Sequence, residues 1–200
     1  MLNRFGVVVV AIALSFASQL ARAAEHPAQT LVEDAITSML DVFKQEGERL
    51  RSDPDYLKAK VDELIVPHLD FETMTKLAVS KFWRRADKAQ QQELISEFTD
   101  LLLNTYTGAL TQYSGESISF APFRPESRED RANVRSTFSQ ATGSDVPVIY
   151  KLRDKGGWSI YDIEVNDVSL VTSYRSAFSN EIEKNGIPGL IDAIKERNGS

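Results

Sequence analysis

"VPVIYKLRDKGGWSIYDIEVNDVSLVTSYRSAF", residues 146–178, decides the fold class. Its first two runs, Val146 to Arg153 and Trp158 to Val165, are rich in β-branched and aromatic residues that alternate with polar ones, the period of a strand. Asp154-Lys155-Gly156-Gly157 between them is a hairpin signal. Beyond Asp167 the apolar positions recur at Leu170, Tyr174, Ala177, Phe178 and Ile182, which is helical spacing and is expected to close at Gly186. Asp167 stands where strand gives way to helix, and reads as the cap of a helix beginning near Val168. A short helix after Pro188 is expected to end the chain.

Working outward, the sequence upstream is helical and then β. From Thr30, a good N-cap, Leu31, Ala35, Ile36, Met39, Leu40 and Phe43 mark one amphipathic helix. Asp53-Pro54 opens a second, through Leu57, Val61, Leu64 and Ile65, that stops before Pro67. Asp70 caps a third through Phe71, Met74, Leu77 and Ala78. Asp87 with Gln90 forms a capping box for a long fourth helix carrying Leu94, Phe98, Leu101, Leu102, Thr105, Ala109 and Tyr113. After Gly115 the period drops to two, at Ile118, Phe120 and Pro122 and again at Val134, Ser136 and Phe138. Helices, then a meander of strands, then helix predict a single α+β domain: a four- to five-stranded antiparallel sheet with one face covered by N-terminal helices and a C-terminal helix.

Composition narrows the function. Met1 to Arg4 give a positive start, Phe5 to Ala17 an apolar run, and Ala21-Arg22-Ala23 the small residues of a cleavage site, so residues 1–23 read as a signal peptide removed after Ala23. Its loss leaves 21 basic against 29 acidic residues, a net charge of −8. Such a chain, without a long basic run, is not built for nucleic acid or for lasting adsorption to anionic membranes, and only transient membrane contact is expected. With no cysteine there is no disulfide, lipoprotein anchor or thiol nucleophile.

The search for chemistry returns little. No phosphate loop, dinucleotide fingerprint, nucleophile elbow or zinc-protease helix occurs. His26, in a mobile N-terminus, and His68, read as a hydrogen-bonded structural residue between two helices, make a poor metal pair. Strict alternation would place Ile160, Asp162 and Glu164 on one face of their strand, with the acids on the wet side of the sheet. Asp162 is then either a satisfied structural carboxylate or, in an enzyme with a cone-shaped cavity, a general base; no partner acid, base or oxyanion donor accompanies it. The shared apolar faces nominate Leu102, Tyr106, Val148, Tyr150, Ile160, Val165 and Tyr174 as lining a ligand cavity, although a solid core would use the same pattern. Lys81, Phe82, Trp83, Arg84 and Arg85 are the densest basic and aromatic cluster. They form either a helix end whose cations complement the dipole while the aromatics pack inward, or a docking surface using Lys81, Arg84 and Arg85.

Two longer stretches carry a resemblance. "KFWRRADKAQQQELISEFTDLLLNTYTGAL" (81–110) has an aromatic pair, a break, a glutamine-bearing helix start, then Phe, Leu and Tyr on a long helix. "WSIYDIEVNDVSLVTSYRSAF" (158–178), followed by "NGIPGL" (185–190), has Trp, Tyr-Asp, Val-Ser-Leu, Tyr-Arg, Phe and a late Gly-x-x-Gly-Leu. In this order the sequence resembles the MlaC family, the periplasmic phospholipid-binding component of the lipid-asymmetry and toluene-tolerance pathway of Gram-negative bacteria. One departure is Asn166-Asp167, at a step where many relatives carry glycine, which calls for a differently built turn. The resemblance implies a deep apolar cavity between sheet and helices that takes acyl chains and leaves the head group near the surface, with no cofactor beyond this cargo. It also implies a periplasmic, non-enzymatic carrier of diacyl phospholipid that shuttles between an outer-membrane lipid-extracting complex and an inner-membrane ABC transporter with a lipid-binding substrate domain. The alternatives are an enzyme using Asp162 as base and a periplasmic adaptor with no ligand cavity.

Overall fold

The computed structural model of the protein describes residues 25–111, 113, 115–139 and 144–199. The signal peptide and cleavage site expected at residues 1–23 lie outside them.

Among the described residues four α-helices precede the sheet: α1 (Pro27–Ser52), α2 (Pro54–Leu64), α3 (Phe71–Val79) and α4 (Lys88–Leu110). Their starts follow from the capping chemistry. Asp53 accepts from the Tyr56 amide at 3.0 Å and Asp70 from the Thr73 amide at 3.0 Å. Asp87 and Gln90 exchange reciprocal bonds of 2.9 and 3.1 Å, the capping box read from the sequence. The first helix begins earlier than Thr30 predicted. His26 is its cap, with Nδ1 accepting from the Ala28 amide at 3.3 Å and Pro27 at the first helical position. His26 is not a free end residue, for its ring stacks on Phe123 at 4.0 Å and meets Trp158 edge-on at 5.1 Å. At Glu46 the backbone leaves the helical region, just before Gly47, so α1 is two helical pieces joined at a bend.

The sheet runs β1 (Ser117–Phe120), β2 (Arg131–Ser139), β3 (Val146–Asp154), β4 (Trp158–Val165) and β5 (Val168–Ser169), in sequence order and antiparallel throughout. Asp154 Oδ1 accepts from the amides of Gly156 and Gly157, both at 2.8 Å, and Gly156 takes φ 91° to close the β3–β4 hairpin. The last strand corrects the reading of Asp167. Asn166 and Asp167 have φ 50° and 63°, a two-residue hairpin turn of the type that twists with its strands, and Val168–Ser169 pairs back on β4. Asp167 is therefore a turn residue, and the helical chain starts later, as a 3-10 turn at Thr172–Tyr174 leading into α5 (Arg175–Asn198). Within α5, Gly186 adopts φ 73°, which breaks the helix where the sequence placed its end, and the chain resumes helically around Pro188.

Strict alternation fails in β4 for a local reason. Lys151 pairs with Asp162 and Leu152 with Ile160, which leaves Tyr161 as an extra residue, a β-bulge. The register on either side brings Ile160, Ile163 and Val165 opposite Leu152, Tyr150 and Val148, all on the helix-covered face. Asp162 and Glu164 share the other face with Lys151, whose ammonium pairs with Glu164 and lies 3.8 Å from Asp162.

Two apolar clusters hold the domain together. The larger joins α3, α5, the sheet and much of α4, with Leu94, Phe98, Val134, Leu152, Leu190 and Ile194 at its centre. The smaller, Met39, Phe43, Leu50, Leu57 and Val61, lies among α1, α2 and the last turns of α4.

Candidate functional site

Between the two clusters the packing is not closed. A cavity of about 330 Å³ lies under the sheet, walled by α1 (Val32, Met39, Phe43), α2 (Val61), α3 (Met74), α4 (Leu102, Tyr106, Leu110) and the facing strands (Val148, Tyr150, Ile163). Its surface is almost entirely apolar, and none of its wall residues is Asp, Glu, Lys or Arg. That volume falls in the range of small-molecule and acyl-chain pockets, well above a packing defect.

Of the seven residues nominated from the sequence, Leu102, Tyr106, Val148, Tyr150, Ile160 and Val165 line this cavity. Tyr174 does not. It sits behind the wall, its ring against Phe98 and Phe178 at 5.2 and 5.5 Å. Burial, followed by the proximity of Tyr174, pushes the Tyr106 phenol up to about 12, and burial does the same to Tyr150. Both stay protonated and neutral at physiological pH.

Sequence reading missed the opposite wall. Met39 and Phe43 were legible as the apolar stripe of α1, and Val61 and Met74 as those of α2 and α3, but a stripe does not say whether it meets a neighbour or a void. Ile163 and Leu170 were hidden by the bulge and by β5. His68 also lines the cavity, in the 3-10 turn Val66–His68. The hydrogen bond expected to tie down its side chain is absent among the described residues.

Asp162 is 3 % exposed and is not part of the cavity wall. Its Oδ1 accepts from Ser169 Oγ at 2.8 Å and from the Val171 amide at 3.4 Å, and Ser169 Oγ in turn accepts from the Thr172 amide at 2.9 Å. This carboxylate organises the crossing from β5 into the C-terminal helical chain. The basic cluster is also placed. Residues Ser80–Arg85 form a 3-10 helix entered through Ser80 at φ 54°, ψ −127°, a strained backbone for a residue with a Cβ. Phe82 packs inward, Lys81 and Arg85 flank its ring at 4.8 and 5.3 Å, and Lys81, Arg84 and Arg85 are exposed. Lys81 Nζ is 3.3 Å from Glu183 of α5, and none of these residues reaches the cavity wall.

Among the described residues no group of three or more His, Cys, Asp or Glu is placed to hold a metal ion, and no helix is long and apolar enough to cross a membrane.

Comparison with known proteins places this geometry. The family model described as MlaC protein matches residues 33–196. The chain is 26 % identical over 166 residues to the toluene tolerance protein ttg2D of Pseudomonas putida, covering 82 % of this chain and 76 % of that one. It is 21 % identical over 199 residues to the intermembrane phospholipid transport system binding protein MlaC of Haemophilus influenzae, covering 98 % and 93 %. A phospholipid-binding protein from Ralstonia solanacearum, solved in complex with a phospholipid, superposes with a TM-score of 0.79 at 32 % identity, covering 87 % of this chain and 98 % of that one. A helix-covered antiparallel sheet, a carbon-walled cavity between them and a family match across most of the sequence agree: the chain belongs to the MlaC family.

Proposed function

We propose that this protein is a periplasmic carrier of diacyl phospholipid, holding acyl chains in the cavity between sheet and helices while it moves lipid between membranes. The observation that carries the reading is the wall itself: side chains from four helices and the sheet converge on an open volume and offer it almost nothing but carbon. An adaptor without a ligand would close that space, since an unfilled cavity costs stability through lost contacts. Asp162, the one candidate base, lies outside the cavity with its oxygens engaged, so no observation favours the enzyme reading.

Energetics explain the design. Two chains with roughly 30 methylenes, at about 0.8 kcal/mol each, cost on the order of 24 kcal/mol to expose to water. A carrier must recover most of that yet not hold the lipid more tightly than a bilayer does, or hand-over would stop. Apolar walls with few polar fixings satisfy both conditions. Mass spectrometry of denatured protein purified without detergent is expected to show about one bound lipid per chain. Protein that is free of lipid and takes none from vesicles would overturn the reading.

Hand-over by an acidic protein calls for protein docking rather than attraction to anionic bilayers. Lys81, Arg84 and Arg85 are our candidate docking residues, toward an outer-membrane lipid-extracting complex or an inner-membrane ABC transporter with a lipid-binding substrate domain. Their exposure beside a strained turn supports the assignment.

A further inference from the structure

We infer that residues 47–64, the second piece of α1 together with α2, form a flap that lifts away from α4 to pass lipid chains into and out of the cavity; this rests on the carrier reading above. The flap joins the rest of the domain at two points, and the α-helix is interrupted at both. On one side α1 breaks at Glu46 (φ −130°, ψ 23°). On the other α2 ends at Leu64, and Ile65 leads into the 3-10 turn Val66–His68. A few element-terminal residues of this kind are what absorb the rotation of a hinge. Within itself the pair is stiff. Tyr56 Oη donates to Glu46 Oε2 at 2.9 Å, and the Arg49 guanidinium lies 3.6 Å from the centre of the Tyr56 ring. Asp53 both ends α1 and caps α2, while Leu50 and Leu57, 0 % and 2 % exposed, belong to the smaller apolar cluster.

Toward α4 and the chain just beyond it the hold is lighter. The smaller cluster meets Leu103, Leu110 and Tyr113 there, all only partly buried. Among the described residues one hydrogen bond crosses this seam, from Arg51 Nη1 to the Tyr113 carbonyl at 3.3 Å. Lys58 of α2 and Asp100 of α4 stand exposed on its two sides. They are near enough that the charge of Asp100 adds to the Asp62 bond that chiefly raises the Lys58 ammonium above its ordinary value. Both sides of the seam are also cavity wall: Val61 and Ile65 on the flap, Leu103, Leu110 and Tyr113 opposite. Parting them therefore opens the carbon-lined interior directly, and the apolar surface so bared is what acyl chains cover as they pass. The solid half need not yield, because Leu94, Phe98 and Val134 pack in the other cluster. Small local openings of this kind are drawn from the least tied parts of a fold.

The test bridges the seam. The chain has no cysteine, so Lys58→Cys with Asp100→Cys can be joined specifically by a short bismaleimide that contains a disulfide and is cut by dithiothreitol. The protein is mixed with phosphatidylcholine vesicles carrying a fluorescent phosphatidylcholine, and its uptake of the tracer is followed. Bridged protein should take up tracer about tenfold more slowly than the same protein after reduction. Glu93→Cys with Lys195→Cys, bridged between α4 and α5 in the solid half, should exchange at the wild-type rate. Arg51→Met keeps the aliphatic stem but loses the bond to Tyr113, and should speed uptake by about threefold, a readout that decides the matter even if the bridged protein fails to fold. Uptake unchanged by the first bridge, equal slowing by the second, or an unchanged rate in Arg51→Met would each overturn the inference. Wild-type protein that takes up no tracer overturns the carrier reading instead, and this one with it.

Discussion

Helix α4 passes through two different environments, and the contrast explains the molecule. In its first half Leu94 and Phe98 are 0 % and 1 % exposed, packed on α5 and the sheet. In its second half Leu103, Tyr106 and Leu110 carry the same apolar character but are only partly buried, because they face a void. Strand β3 repeats the change within five residues, from Leu152 in the solid core to Tyr150 and Val148 on the cavity wall. The domain is thus closed at one end and hollow at the other, and the solid end is what allows the hollow end to stay open.

The largest expected effect lies in the solid half. Phe98→Ala should cost about 3–5 kcal/mol in denaturant unfolding, because close-packed neighbours cannot collapse into the space. Leu103→Ala, whose side chain already borders a void, should cost clearly less; equal losses would break the distinction between the halves. Overpacking gives the reverse test. Val134→Trp, in the core, should destabilise by about 1–3 kcal/mol or more, whereas Val148→Trp should leave stability within about 1 kcal/mol and reduce bound lipid, since its added volume displaces cargo. Unchanged lipid with clear destabilisation at Val148 would show that the wall is core.

Asp162→Asn sharpens the comparison from outside both regions. It weakens the bonds to Ser169 and Val171, and should lower stability by about 1–3 kcal/mol without altering lipid occupancy. Any turnover abolished by this change would restore the enzyme reading.

The smallest effect is confined to low pH. Burial pushes the Asp70 carboxyl up, but the bonds from Lys155 and Thr73 and the charge of Lys155 together outweigh it and hold the group below its ordinary value of 3.8. A depressed folded value means that this contribution is complete at neutral pH and is lost as pH falls from the unfolded value through the lower folded one. Asp70→Asn should therefore flatten stability against pH in that acid window while leaving the profile above about pH 6 parallel to wild type.

What was legible in the sequence was whatever rests on local chemistry. Asp53, Asp70 and the Asp87–Gln90 box start helices by bonds within three or four residues, and Asp154-Lys155-Gly156-Gly157 closes its own hairpin, so these could be read directly. Gly186 and Pro188 likewise announce the break in α5. What was not legible depends on residues far apart. Asp167 looked like a cap because aspartate serves both caps and left-handed turns, and only pairing of Val168–Ser169 with β4 decides between them. Val148, Tyr150, Ile160 and Val165 were singled out from their strands and border the cavity, yet the wall supplied by α1, α2 and α3 was not singled out, since apolar periodicity marks a buried face without saying what fills the space before it. Tyr174 carries the same signal and packs against aromatic rings.

Tyr161 has a consequence for how this sheet tolerates change over evolutionary time. Removing one residue from the middle of β2 or β3 would exchange the two faces of everything downstream and turn the apolar wall outward. In β4 the extra residue is already present, so deletion of Tyr161 restores a regular ladder in which Ile160, Ile163 and Val165 still point inward and Asp162 and Glu164 outward. The strand would lose its local bend and the contact of Tyr161 with Arg131, but not its inside and outside. Among homologous sequences, single-residue length variation in this sheet should therefore gather at this position.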